Sequence, residues 1–219
     1  MKVGFLGVAA IASVLLTWNS NPHDVCAAPT EVKMDRALKG KLDTFFSNFS
    51  EVYVEPFAKG KTSNKALISF GIRHNEINKP ERVQTVHGSS ALDQRIAAKL
   101  IEPSVEWYFG RKITKHESVP GYAYKNGYYY WPGADGEGPT FSQITKLMDL
   151  GNNLFRANVN IYSAANGWEG NTHGTVSEWK RADDGSGVPE LTGKMTATIK
   201  KVGSGSKQHY ILVEYLEAK

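Results

Sequence analysis

The chain has almost no cysteine. Of 219 residues only Cys26 is one, and it precedes the point at which an export leader would be cut. A mature chain of residues 28–219 would therefore hold no disulfide, no thiol nucleophile and no thiolate metal ligand, and its stability would have to come from packing. Past the first 18 residues no apolar run is long enough to cross a bilayer. Charge of one sign is also scarce. The net charge is +4, and basic side chains outnumber acidic ones only between residues 28 and 120. That mild bias is no nucleic-acid footprint, and no nucleic-acid partner is expected.

Catalytic and cofactor motifs are missing as well. No two of the mature histidines His74, His87, His116, His173 and His209 stand at a metal-ligand spacing, so no metal site is expected. There is no Gly-x-Ser-x-Gly elbow for a serine nucleophile. Asp135-Gly136-Glu137-Gly138 and Asp183-Asp184-Gly185-Ser186-Gly187 lack the alternating acids and closing glutamate of a calcium loop, and read as turns. Gly203-Ser204-Gly205-Ser206-Lys207 lacks the spacing and following helix of a phosphate loop. No cofactor is expected. Asn48-Phe49-Ser50 is formally a glycosylation sequon, but Phe49 falls on the apolar face of a helix, which argues against a glycan.

What is present begins with the first 27 residues. Lys2 is followed by the apolar stretch Val3 to Trp18, a polar stretch to Asp24, and Val25-Cys26-Ala27-Ala28-Pro29. This is the layout of a secretory signal peptide, 1–27, cut after Ala27, and it predicts a secreted or periplasmic protein. Acylation of Cys26 is not expected, because His23-Asp24-Val25 is a poor lipidation context.

Residues 28–219 read as one α+β domain. Met34, Leu38, Leu42, Phe45, Phe46 and Phe49 recur at steps of three and four, the stripe of an amphipathic helix. Ser63 is placed to cap a second helix carrying Leu67, Ile68 and Ile72, and a third is predicted from Glu102 to Phe109 with Pro103 in its first turn and Gly110 as stop. Strands follow. Tyr122 to Trp131 is a hairpin around Asn126-Gly127, the preferred pair for a type I′ turn. A second hairpin spans Phe141 to Ala164 around Gly151-Asn152-Asn153, with Phe155, Ala157, Val159 and Ile161 on one face. A third spans Met195 to Leu216. The glycine-rich segment between them is predicted to hold a short strand, Val176 to Lys180.

Helices first and antiparallel hairpins afterwards predict helices packed on one face of a curved antiparallel sheet. That order resembles the NTF2-like and cystatin-like architecture, which implies a cone-shaped pocket between helices and sheet. Phe45-Phe46-Ser47-Asn48-Phe49, Tyr108-Phe109-Gly110 and Lys125-Asn126-Gly127-Tyr128-Tyr129 are similar to stretches of uncharacterised exported bacterial proteins, a likeness that implies no activity.

The expected function is that of a non-catalytic binding or interaction domain for an envelope polymer or a protein partner. Tyr128, Tyr130, Trp131 and Trp168 are the candidate ligand-binding residues. Alternation puts tyrosines on both faces of the hairpin, so its rings form either an exposed platform or core. At least one of Tyr128 to Trp131 is expected to be substantially exposed. Trp168, the large apolar residue of a polar loop, is either a plug or a contact residue. The alternative function is a small pocket enzyme using a histidine–carboxylate pair, for example His173 with Glu178 or Asp149. Long hairpin edges also leave room for a structural role in an oligomer.

Overall fold

The computed structural model describes residues 28–88, 92–133, 138–183, 185 and 187–218. The leader, Cys26 and residues 135–137, 184 and 186 of the two acidic loops lie outside them.

A short strand β1 (Thr30–Glu31) leads into helix α1 (Arg36–Ser50). Asp35 caps α1 by accepting the Leu38 N–H at 2.7 Å. Helix α2 (Asn64–Asn78) starts at the predicted cap, Ser63, which accepts the Ala66 N–H. The ambiguous stretch beyond it resolves into strands β2 (Gln84–Thr85) and β3 (Gln94–Ala97). Helix α3 (Ala98–Phe109) begins four residues earlier than the sequence reading placed it, so Pro103 lies inside the helix rather than in its first turn. Gly110 ends it in the left-handed region at φ 60°.

The aromatic hairpin is β4 (Ala123–Lys125) and β5 (Tyr128–Trp131), with φ of 51° at Asn126 and 80° at Gly127, as a type I′ turn requires. The second hairpin is β6 (Thr140–Gly151) and β7 (Leu154–Ser163), turning through Asn152 and Asn153 at positive φ. Residues 176–182 form a helix, α4 (Val176–Ala182), where a strand was predicted. The reason is a capping box: Thr175 accepts the Glu178 N–H, and the Glu178 carboxylate accepts the Thr175 N–H. The last hairpin is β8 (Glu190–Val202) and β9 (His209–Glu217).

The fold is α+β with two antiparallel sheets, not one. The larger runs β1-β6-β7-β8-β9, stays open, and carries bulges in β6–β7, β7–β8 and β8–β9. The smaller runs β2-β3-β5-β4. Helices α1 and α3 pack on the inner face of the larger sheet. Leu42, Phe45, Phe46 and Phe49 of α1 are buried there against Ala157, Val159, Met195, Ile199 and Tyr215, and Phe155 and Ile161 complete the predicted apolar face of β7. A second cluster joins Ile68 and Ile72 of α2 and Ile101 of α3 to Ile96, Tyr129 and Trp131 of the smaller sheet. On the outer face of the larger sheet Phe141, Tyr162 and Trp179 form a third cluster, roofed by Trp168 and Val188. Within α1, Asn48 and Phe49 are both buried, and the Asn48 amide donates to the Thr44 carbonyl, a poor setting for a glycan.

Candidate functional site

The helix–sheet core is filled beneath α1, but it opens at the C-terminal end of that helix. A cavity of about 570 Å³ lies there, between residues 50–56 and the sheet, within the range of about 300–1,000 Å³ typical of small-ligand sites. Val54, Ile161, Met195 and Tyr215 supply apolar surface, and Glu55, Lys194 and Glu217 are exposed at its rim.

One wall is a line of hydroxyls. Tyr53 Oη stands 3.5 Å from Thr140 Oγ1, Thr140 Oγ1 is 3.1 Å from Ser163 Oγ, and Ser163 Oγ is 3.3 Å from Thr192 Oγ1. Strand pairing brings them together. Thr140 faces Ser163 across β6–β7, and Thr192 is the bulged residue where β8 slips past Ile161 and Tyr162 of β7. A bulge re-aims a side chain out of simple alternation.

Tyr53 is held in an unusual backbone. Its N–H donates to the Ser50 carbonyl and the Val54 N–H donates to the Phe49 carbonyl, each at 3.0 Å. This is the Schellman closure of α1, which puts Tyr53 at the left-handed position where glycine is usual, at φ 53°. A bulky residue there costs on the order of 1–3 kcal/mol, and such strain clusters at functional sites. Tyr53 is 49% exposed, with the Arg73 guanidinium 5.0 Å from its ring centroid. Tyr215, also on the cavity lining, is 1% exposed, and its hydroxyl is a buried side-chain polar atom with no hydrogen-bond partner among the described residues. Burial raises its phenol well above the ordinary tyrosine range.

The residues singled out from the sequence do not share one surface. Trp131 is 4% exposed and its indole donates to Glu76 at 2.8 Å, so it is core, as is Tyr129 at 0%. Tyr128 and Tyr130 are only half-buried, on the opposite face of β5, with the Arg95 guanidinium 4.7 Å from the Tyr128 ring. The expected large exposure is found at none of the four; cross-strand packing and Arg95 cover them. Trp168 lies elsewhere, half-buried and stacked on Phe141 at 5.6 Å over the outer face of the larger sheet. It packs on the Phe141–Tyr162–Trp179 cluster and lines a cavity of about 270 Å³ with Asn171 and Trp179.

The histidine–carboxylate pairing also differs from expectation. His173 Nδ1 is 3.4 Å from Asp43 Oδ2, in a cavity of about 430 Å³ that Glu178 also lines. Asp149 is not part of it; its carboxylate accepts the Gly151 N–H at the far end of β6. Glu178 is taken up by the α4 capping box, which holds its carboxyl below the usual range. Asp43 is 1% exposed and already accepts the Ile144 N–H at 2.8 Å and pairs with Lys39 at 2.7 Å. His173 adds a longer contact from a half-exposed position. Those bonds make Asp43 a clamp between α1 and β6. His116 likewise serves structure, bridging Tyr129 Oη at 2.8 Å and Glu102 at 2.9 Å.

Sequence reasoning missed Tyr53, Thr140, Thr192 and Tyr215. One signal for the cavity was present: the apolar face of β7, from Phe155 to Ile161, continues to the hydroxyl of Ser163, a polar residue at the wet end of a buried face. Compared with protein families, curated proteins and solved structures, the chain matches none.

Proposed function

We propose that the protein is an exported, non-catalytic binding domain, secreted or periplasmic, whose ligand sits in the cavity between the end of α1 and the larger sheet. The observation that carries this reading is the line of hydroxyls, Tyr53–Thr140–Ser163–Thr192, along one wall of that largely apolar cavity. A few convergent polar groups on an apolar cavity are what fixes the orientation of a small ligand. Export is supported by the layout of residues 1–27. The helices-before-hairpins order that resembles the NTF2-like architecture agrees with a seat between helix and sheet, and the ligand would come from the envelope or its surroundings.

Protein recovered from the medium or periplasm tests both halves. Its mass should correspond to a chain beginning at Ala28; an intact Met1 or a lipidated Cys26 overturns the export reading. Its melting temperature should rise in a small-molecule extract of the cell envelope, since a ligand that binds only the folded state stabilises it by mass action. Gly193→Leu should remove that rise. Gly193 lines the cavity, and a Cβ there meets only the Ile161 side chain at 3.6 Å, so the added side chain fills the site without a backbone clash. Equal rises in both proteins, or none in either, would rule out the cavity as the seat.

A further inference from the structure

The chemistry of the cavity wall narrows the ligand class. A hydroxyl can both donate and accept, so the line Tyr53–Thr140–Ser163–Thr192 offers interchangeable partners and no fixed charge. A hydrocarbon chain lying along this wall would desolvate those hydroxyls without replacing their water. An anion is not matched either: Lys194 at the rim is accompanied by Glu55 and Glu217. A cation would meet the same mixture, and all three charges are exposed and screened.

A ligand that itself carries many hydroxyls on an apolar ring matches what remains. Its hydroxyls can exchange bonds with the wall. Its C–H face can rest on an aromatic ring or on the Val54, Ile161 and Met195 side chains. Tyr53 is half exposed at the mouth of the cavity, in a backbone conformation that glycine would adopt without strain. The backbone at that position favours glycine, and the ring that stands there is held at the mouth by Arg73 over its face and Thr140 at its hydroxyl.

We propose that the ligand is a neutral carbohydrate, seated against the Tyr53 ring and read by the hydroxyls of Thr140, Ser163 and Thr192. The proposal rests on the cavity being the binding seat. The bond network implies that ring oxygens and hydroxyls of the sugar replace water along the wall.

The test is a titration of the full mature chain, followed by amide chemical shifts, with cellotriose, chitotriose, decanoate and inorganic phosphate as separate probes. At least one of the two trisaccharides should shift amides of residues 53, 140, 163 and 192–194. Its affinity should be insensitive to salt between about 50 and 500 mM, because no charge is neutralised. Tyr53→Gly should weaken it at least tenfold while melting no lower than the parent, a combination that a merely structural tyrosine would not show. Thr192→Val, which keeps the shape and removes the hydroxyl, should weaken it severalfold. If decanoate or phosphate shifts these amides and neither trisaccharide does, the carbohydrate assignment is overturned and the binding seat stands. If none of the four probes shifts them, the carbohydrate assignment is overturned, and the extract melts with Gly193→Leu decide separately whether the cavity binds anything. Equal binding by the parent and Tyr53→Gly would also overturn it.

Discussion

Glu51 shows how a single burial event changes the charge of a side chain. It follows the last residue of α1 and stands 3.9 Å from His74 Nδ1, a distance at which an ion pair would ordinarily form. Burial prevents it. His74, stacked on Phe70 and 3% exposed, is pushed down to about 4 by desolvation, reinforced by Lys79 and Arg82. It is therefore neutral at physiological pH. Desolvation lifts the Glu51 carboxyl to about 7, and a hydrogen bond from Asn78 opposes the rise. Between pH 4.5 and 7 the unfolded chain gives up the Glu51 proton while the folded chain keeps it, so this group makes stability fall as pH rises. His74 acts in the opposite direction between pH 4 and 6.5, because there the unfolded chain holds the extra proton. The two largely cancel where the windows overlap. Glu51→Gln removes only the first. Melting temperatures measured across pH 4.5 to 7.5 should show the variant gaining on the parent as pH rises, then levelling off. A constant difference would mean that the Glu51 carboxyl titrates normally.

At the scale of elements, α1 does two jobs, of which the sequence displays one. Its apolar stripe, Leu38 to Phe49, is legible from spacing alone and packs on the sheet as that spacing implies. Its polar positions Asp43 and Ser47 look like solvent-facing residues in a helical projection. They instead serve the edge of β6, which β1 pairs only at Met148 and Asp149. Asp43 accepts the Ile144 N–H, and the Ser47 hydroxyl accepts the Ser142 N–H at 2.9 Å. Unpaired strand edges are a liability, and here side chains of a helix close one. No local pattern announces such a bond between residues a hundred positions apart. The strand predicted at 176–180 gives way to a helix for a local reason instead: alternation over five residues is weaker than the Thr175–Glu178 capping box, which the sequence itself displays. The clamp can be measured. Asp43→Ala strands the Ile144 N–H and should cost about 1–3 kcal/mol in urea unfolding. Asp43→Asn keeps an acceptor oxygen and should cost clearly less. If the two variants unfold alike, the edge bond contributes nothing and the charge facing Lys39 is what matters.

For the whole molecule, the helix and hairpin inventory of residues 28–218 was largely readable, but the assembly of hairpins into sheets was not. The aromatic hairpin and the two long hairpins carry similar alternation, and nothing local says that β4–β5 pairs with β3 instead of joining the larger sheet. What decides it is the α2–α3 pair lying between the sheets. Leu67 and Phe70 of α2 and Val105 and Phe109 of α3 face the larger sheet's core, while Ile68, Ile72, Ala98 and Ile101 face the smaller one. A helix buried on two sides shows only a weak apolar stripe, which is why α2 gave no hint of a second sheet. Close approach of the two helices depends on Gly71. A Cβ there would stand 3.0 Å from both Ile101 Cβ and Val105 Cγ2, one residue from each core. Gly71→Val should therefore push α2 and α3 apart and lower stability by roughly 2–3 kcal/mol, the upper part of the range for overpacking. Because both sheets lean on the same helix pair, the loss should be shared. Native-state hydrogen exchange should show the amides of Ile96 and Tyr129 in the smaller sheet and of Ala197 and Leu212 in the larger losing protection by the same factor, and chemical unfolding should remain a single transition. Loss of protection confined to the smaller sheet, or a second unfolding step, would show instead that the two sheets are separate cooperative units joined by the helices, each able to come apart without the other.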